Sequence, residues 1–311
     1  MTRMNQEILR PIVVGAYAAI PSDQKNQEMF YDLLARHGKA TALEIPFRDG
    51  FVDPIEWLAR QMKRRFTRSV ITLIPGTMER VGASGVFGLA SPDENARRAA
   101  MDYTRAARQC AEELNQLTGE KSVEVIHVHS APSMKADPAQ LGRSLEMLLS
   151  EQPNTYEWST RLVLEHCDAY DPTIKGEKRF LSLGDEIPVA ASLGMGVTIN
   201  WGRSAVEAQN SDRPLEHVRQ LVSEGILEGL MFSGAGRESN GYGAPWADAH
   251  LPLTGDEPTS LMDESAVEQC LEAAGGACTY TGAKVQVPTG SSIQRRVDII
   301  RNVTRLLALH R

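Results

Sequence analysis

Val123-Glu124-Val125-Ile126-His127-Val128-His129-Ser130 is a short β-branched run that ends on polar residues; Asp137-Pro138 then heads an amphipathic stretch, and Arg161-Leu162-Val163-Leu164-Glu165-His166-Cys167-Asp168 forms a second run of the same kind. Runs this short and this rich in valine, isoleucine and leucine read as buried strands rather than buried helices. The aspartate and proline supply a capping side chain and a first helical residue with a preset φ. Strand, helix, strand in this order implies a right-handed crossover between parallel strands.

Outward from this unit the pattern repeats to both ends of the chain. Further runs lie at Pro11 to Ile20, Lys39 to Phe47, Ser69 to Gly76, Met195 to Trp201, Ile226 to Gly234 and Thr279 to Val287. Helix starts are legible at Asp53-Pro54-Ile55-Glu56 and Ser91-Pro92-Asp93-Glu94, each with a glutamate three residues past the capping side chain, and Asp263 heads a stretch that stops at Gly275-Gly276. Eight such units in 311 residues predict an α/β fold, a single closed (β/α)8 TIM barrel over residues 1–311, with a doubly wound open sheet as the competing architecture. Barrel sites form at the C-terminal ends of the strands, which is where polar residues gather here.

Two connections are long. Residues 77–90 carry Gly82, Gly85 and Gly88, without the lysine of a Walker loop or the dinucleotide spacing, and read as a mobile lid. Residues 235–262 carry Tyr242, Trp246, Asp248 and His250. Loops of this length in a compact domain are usually functional.

The net charge of -7 leaves no broad basic footprint, so nucleic acid is not an expected partner. Met1 to Arg10 has no apolar signal region and no run reaches the ~18 apolar residues a membrane span needs, which predicts a cytoplasmic protein with no membrane partner. Cys110, Cys167, Cys270 and Cys278 share no CxxC spacing, as expected of reduced thiols.

Period two puts His127 and His129 on one face of their strand, and a glutamate after Leu162-Val163-Leu164 must be paired, protonated or metal-bound. Glu44, inside Ala42-Leu43-Glu44-Ile45, is a second buried carboxylate, suited to hydrogen-bonding substrate hydroxyls or to sharing acid and base roles with Glu165. Alternation sends His166 the other way, and Asp168 is placed to cap the following loop. Asn200, Trp201 and Arg203 stand at the lip of the sixth run: Trp201 as an apolar or sugar-stacking wall, Arg203 as a fork for an anion or as a salt bridge to a neighbouring loop. Ser233-Gly234-Ala235-Gly236 offers an anion nest. Lys284, on one face with Gln286, is expected to pair with a carboxylate such as Glu165, with a Schiff base as the rarer use. Asp248 and His250 form an Asp-x-His that either reaches a metal, serves acid and base chemistry or lies solvated.

The Glu-His-Cys-Asp end of the fifth run, the His-x-His of the fourth and the Asp-x-His after the seventh resemble the xylose-isomerase-like TIM barrels, a superfamily of sugar isomerases and epimerases together with endonuclease IV. Val-Gly-Ala-Tyr, Phe-Gly-Leu-Ala-Ser, Ile-Asn-Trp-Gly-Arg-Ser and Leu-Met-Phe-Ser-Gly further resemble a bacterial branch of uncharacterised function. The resemblance implies a divalent metal on a glutamate of strand five, an aspartate of strand six, a histidine of strand seven and a glutamate of strand eight. Only Glu165 matches; Asn200, Ser233 and Lys284 with Gln286 stand at the others. It therefore points to a relocated site for manganese or zinc on His129, Glu165, Asp248 and His250.

The implied activity is an isomerase or epimerase of a sugar, sugar acid or sugar phosphate, working by proton transfer next to a carbonyl. Glu165, His129, His250 and Lys284 would be catalytic, and Glu44, His127, Asn200, Trp201, Arg203 and Ser233 would bind substrate. The alternatives are a carbohydrate hydrolase or lyase using Glu44 with Glu165, and a non-catalytic sugar-binding protein. A small carbohydrate is the expected partner, with self-association, which is common in the superfamily.

Overall fold

The computed structural model describes residues 9–151 and 158–310; most of the Met1 to Arg10 segment read above lies outside them. Eight strands, β1 (Ile12–Val14), β2 (Ala42–Pro46), β3 (Ser69–Thr72), β4 (Val123–Val128), β5 (Arg161–Glu165), β6 (Val197–Asn200), β7 (Leu227–Phe232) and β8 (Tyr280–Ala283), pair in chain order, each parallel to the next. β8 pairs with β1 through Ile12 opposite Thr281 and Val14 opposite Ala283, closing the ring. Each strand lies inside one of the eight runs, so the closed barrel holds and the open sheet does not. The helices α1 (Gln24–His37), α2 (Ile55–Met62), α3 (Ile74–Ser84), α4 (Glu94–Thr118), α5 (Pro138–Ser150), α6 (Leu183–Ser192), α7 (Trp201–Ala208), α8 (Arg213–Ser223), α9 (Glu264–Ala274) and α10 (Ile293–Leu309) occupy the connections. Among the described residues no helix is long and apolar enough to cross a membrane.

The strand alternation separates two packed regions. Ile12, Val14, Leu43, Ile45, Ile126, Val128, Leu162 and Leu164 join one cluster with the helical side chains. Val13, Ala42, Val70, Val125, Val163, Met231 and Tyr280, one residue out of step, form a separate cluster inside the ring. Gly282 is required there, because a Cβ on it would collide with the Met231 sulfur and the Val13 carbonyl. The next inward positions along the strands are Glu44, His127, Glu165 and Lys284, so the apolar plug is the floor on which a charged layer rests.

Helix caps match the chemistry of the sequence at two places. The Asp137 carboxylate accepts from the amides of Ala139 at 2.8 Å and Gln140 at 3.2 Å, and Asp263 accepts from Ala266 at 2.7 Å. At two others they differ. Asp93, not Ser91, caps α4 by accepting from Ala96 at 2.8 Å, and Ser91 is buried; α2 starts at Ile55 with no side-chain cap bond. The connection expected as a glycine-bearing lid is corrected more fully: its first part is α3, which ends where Gly85 adopts a left-handed φ of 70°. Phe87, Leu89 and Ala90 beyond it are buried, so this segment is wall.

The connection from β7 to α9 contains no helix and folds back over the barrel. Gly234 and Leu251 exchange amide bonds at 2.7 and 2.9 Å, and the Gln286 amide donates to the His250 carbonyl at 2.7 Å. Trp246 and His250 take positive φ values of 57° and 50° to make that path, a conformation side-chain-bearing residues seldom hold. After β5, the Asp168 carboxylate accepts from the amides of Glu177 at 2.7 Å, Lys178 at 2.9 Å and Arg179 at 3.1 Å, which fixes the connection to α6.

Candidate active site at the barrel mouth

Three carboxylates and three cations meet above the apolar plug. The Arg203 guanidinium lies 2.8 Å from Glu165 Oε2 through Nη1 and 3.2 Å from Asp248 Oδ2 through Nε. Lys178 Nζ lies 3.0 Å from the same Asp248 oxygen, and His250 Nδ1 lies 3.1 Å from Asp248 Oδ1. On the other side Lys284 Nζ lies 3.2 Å from Glu44 Oε2, which also accepts from the Tyr17 hydroxyl at 3.2 Å. His127 stands between the halves, Nδ1 being 3.9 Å from Glu44 Oε1 and 3.7 Å from Glu165 Oε2. Its Nε2 is 2.6 Å from the Tyr280 hydroxyl, which also bonds Thr198 Oγ1. His129 Nδ1 faces the Glu165 carbonyl at 3.2 Å, leaving Nε2 3.7 Å from the Glu165 carboxylate.

Burial sets the proton affinities. It pushes the Glu44 carboxyl upward, a rise that Lys284 only partly offsets. Burial works against ionisation of Glu165 too, but Arg203, with His127 and Lys284 behind it, holds that carboxyl well below the usual range. The two glutamates are thus driven in opposite directions. Burial also outweighs the neighbouring carboxylates at His127, pushed down to about 4, and at His129, pushed down to about 3, so both imidazoles are neutral near pH 7. At Asp248 burial is overcome by Lys178, His250 and Arg203, and the group stays ionised.

The sequence-predicted residues separate into three groups. Glu44, His127, His129, Glu165, Arg203, Asp248, His250 and Lys284 are brought together. Asn200 and Ser233 are near but serve the scaffold: Ser233 Oγ donates to Asn200 Oδ1 at 2.8 Å, and that oxygen caps α7 by accepting from the Arg203 amide at 3.3 Å. Trp201 is not brought to the mouth. Asn200 ends β6 on its inward face and α7 starts at once, so the indole turns outward, 2% exposed, toward Leu215, Leu261 and Cys270. Lys284 pairs with Glu44 rather than with Glu165. The Gly234 amide, read as part of an anion nest, is spent on Leu251. Two contributors were not singled out for the site: Tyr17, in a helical turn just after β1, and Lys178, whose position depends on the Asp168 anchor.

The structure also tests the metal that the fold implies. Ligand atoms of Glu44, His127 and Glu165 lie within 4.8 Å of one another, so a metal-capable trio is present at the mouth. His129, Glu165, Asp248 and His250 are not such a cluster among the described residues. Arg203 bridges Glu165 and Asp248, filling with a fixed positive charge the place where an ion would need both carboxylates, and Lys284 does the same for Glu44. With cations already matching the carboxylates one for one, the mouth residues do not fit a divalent ion, whose charge would meet a guanidinium and an ammonium.

A closed eight-stranded ring of this build, with its polar centre at the strand C-termini, is a (β/α)8 TIM barrel, a fold it shares with xylose-isomerase-like proteins. Within that class the chain belongs to the family described as Domain of unknown function (DUF4862), whose profile matches residues 13–299. It is 35% identical over 302 residues to the uncharacterized protein STM3670 of Salmonella typhimurium strain LT2, covering 93% of this chain and 94% of that one. Solved structures that share the fold include an IolI protein with a bound zinc atom, at TM-score 0.61 and 11% identity over 97% of this chain and 99% of that one. Another is D-psicose 3-epimerase in the presence of D-fructose, at TM-score 0.58 and 11% identity over 97% and 99% of the two chains. The fold's structural neighbours therefore include sugar epimerases.

Proposed function

We propose that this protein is an isomerase or epimerase of a sugar that carries no phosphate, moving a proton next to a carbonyl without a metal at the mouth. The observation that carries this reading is the pair of buried glutamates flanking His127 with oppositely displaced proton affinities. Such a split assigns acid and base within one site. Glu165, held ionised, takes the proton from carbon; Glu44, the more readily protonated of the two, returns one to the intermediate.

Arg203 and Lys284 offer fixed positive charge to the enediolate oxygen, the task electrostatic preorganisation performs. Glu165 Oε1, His127 Nδ1 and His129 Nε2 have no hydrogen-bond partner among the described residues. Buried polar atoms without partners are costly, and hydroxyl groups of a sugar supply both the donors and the acceptors they need. The even balance of charge favours a neutral ligand, because a phosphate would have to break an existing ion pair. The centre is closed over, Glu165 and Lys284 being 0% exposed, so this reading requires the connection bearing Asp248 and His250, bonded to Gly234 and Gln286, to lift for substrate to enter.

An inverting carbohydrate hydrolase is less well supported: its pair stands roughly 6.5–9.5 Å apart to admit water, whereas the facing oxygens of Glu44 and Glu165 lie within 4.8 Å. A retaining pair, roughly 5–5.5 Å apart, suits that spacing, and release of free sugar from a glycoside would favour it over the isomerase reading. The test is solvent-proton exchange: the protein, dialysed against EDTA, is incubated with unphosphorylated aldoses and ketoses in D2O and followed by NMR. Deuterium is expected to enter at one carbon, and Glu165→Gln to slow that exchange by ~10²–10⁴, the usual contribution of a general base. A panel in which every carbon-bound proton is retained, or in which Glu165→Gln exchanges as fast as the native protein, overturns the assignment.

A further inference from the structure

We propose that a zinc ion binds outside the barrel, on His166 Nε2, the Glu207 carboxylate and His217 Nε2, where it ties β5 to α7 and α8. His166 follows Glu165, so alternation points it away from the mouth and toward the helices. Glu207 comes from the end of α7 and His217 from the middle of α8. His166 Nε2 lies 2.9 Å from Glu207 Oε2 and His217 Nε2 lies 3.4 Å from Glu207 Oε1. All three ligand atoms fall within 4.8 Å of one another. Zinc bonds of about 2.0–2.1 Å in tetrahedral geometry put ligand atoms roughly 3.4 Å apart, so the ion needs only small side-chain adjustments.

The surroundings are those of a built site. His166 Nδ1 is 2.6 Å from Glu186 Oε2, and Glu186 is held in turn by the Ser130 hydroxyl. His217 Nδ1 is 3.0 Å from Ser204 Oγ. Each imidazole has Nδ1 held, His166 by Glu186 and His217 by Ser204, and turns Nε2 toward Glu207, the arrangement that orients and polarises metal-bound histidine; the ion replaces the hydrogen bond between His166 Nε2 and Glu207 and releases its proton. Two nitrogens and one carboxylate oxygen suit zinc better than magnesium or calcium. His166 is fully buried and the Glu207 side chain is 15% exposed, which leaves one ligand at the surface where the ion arrives and a water completes the shell. Unlike the mouth, this cluster has no lysine or arginine within its ion pairs. The ion would brace the backbone next to Glu165 and the helix that carries Arg203.

The full chain, stripped with EDTA, is titrated with zinc chloride by calorimetry and with cobalt(II) by visible absorption. One equivalent of each is expected to bind, with a rise in Tm and the ligand-field bands of a tetrahedral nitrogen and oxygen site. Glu207→Gln and His217→Gln, each checked for native circular dichroism, are expected to abolish uptake, Glu186→Gln to weaken it about 10- to 100-fold, and Glu44→Gln with Glu165→Gln to leave it intact. No uptake by the native chain would mean that His166 serves as a cationic bridge between Glu186 and Glu207, and the proposal fails. It fails equally if zinc persists in the Glu207→Gln/His217→Gln double variant or is lost through Glu44→Gln.

Discussion

Replacing Arg203 by methionine keeps an unbranched side chain of similar reach and deletes the charge that holds Glu165 ionised. The guanidinium is 1% exposed and sits 2.8 Å from Glu165 Oε2 and 3.2 Å from Asp248 Oδ2. Asp248 retains Lys178 at 3.0 Å and His250 at 3.1 Å, so the uncompensated charge falls on Glu165. Removing one partner of a buried pair costs about 3–5 kcal/mol. The sign of the pH dependence follows from the two states. In the native protein the Glu165 carboxyl is displaced downward, so its stabilisation is present above the unfolded value of about 4.3 and fades as pH falls through the depressed folded value. In Arg203→Met burial acts with the guanidinium gone, the displacement reverses, and the carboxylate costs stability until it is protonated.

The stability gap between the two proteins should therefore be widest near pH 8 and narrow toward about pH 5, by ~1.4 kcal/mol for each unit by which the variant's carboxyl is displaced upward, while the part that comes from the native protein's depressed carboxyl persists until pH falls below about 4.3. Urea unfolding across that range measures it. Glu165→Gln added to Arg203→Met removes the stranded charge and should recover most of the loss near pH 8. A gap that is the same at every pH, or a double variant no more stable than Arg203→Met, would refute the argument that Glu165 is the charge Arg203 neutralises.

Tyr280→Phe removes the hydroxyl 2.6 Å from His127 Nε2 and strands a buried nitrogen; a loss of ~1–3 kcal/mol is expected from denaturant unfolding, and an unchanged midpoint would show that the hydroxyl is not what satisfies this imidazole. Asp168→Ala deletes the acceptor for the amides of Glu177, Lys178 and Arg179; amide exchange at those positions should rise by an order of magnitude or more, ~1–3 kcal/mol of lost bonding, and unchanged protection there would mean that the loop is held by something else. Asp137→Ala removes the cap of α5, for which about 1 kcal/mol is the usual cost, read as a fall in Tm with the rest of the fold intact.

The barrel was legible because its strands are buried on both faces, which forces the short apolar runs that mark them. Glu44, His127 and Glu165 were legible for a related reason: a polar residue inside such a run has to be accommodated, and alternation says which way it points. What alternation does not carry is the identity of the partner. Arg203 neutralises Glu165 across 38 positions and Lys284 neutralises Glu44 across 240, distances in sequence over which only the closed ring decides who meets whom. Sequence pairs Lys284 with a carboxylate, as found, but does not choose Glu44 over Glu165, and it draws the metal quartet without the guanidinium that divides it. Trp201 was misplaced by a boundary, since a strand run and a helix start share Asn200 and the change of period falls between adjacent residues. In the third connection the glycines hid α3, because they lower helix propensity locally while packing against neighbours decides the outcome.

The same limit explains where the chemistry concentrates. A carboxylate buried in a strand run is visible from the sequence; the charge that makes it ionised or protonated comes from another unit of the barrel. Glu44, midway along β2, and Glu165, at the end of β5, both take the inward position above the apolar plug, yet one is displaced upward and the other downward. Arg203 is what separates them: its contact with Glu165 is direct, while at Glu44 it acts from farther away and Lys284 does not fully offset burial. Removing Arg203 should therefore bring the two glutamates toward the same upward displacement, and acid and base would no longer be distinguished. Exchange activity in Arg203→Met should fall at least as far as in Glu165→Gln, whereas retention of native exchange would place the proton transfer on some other group.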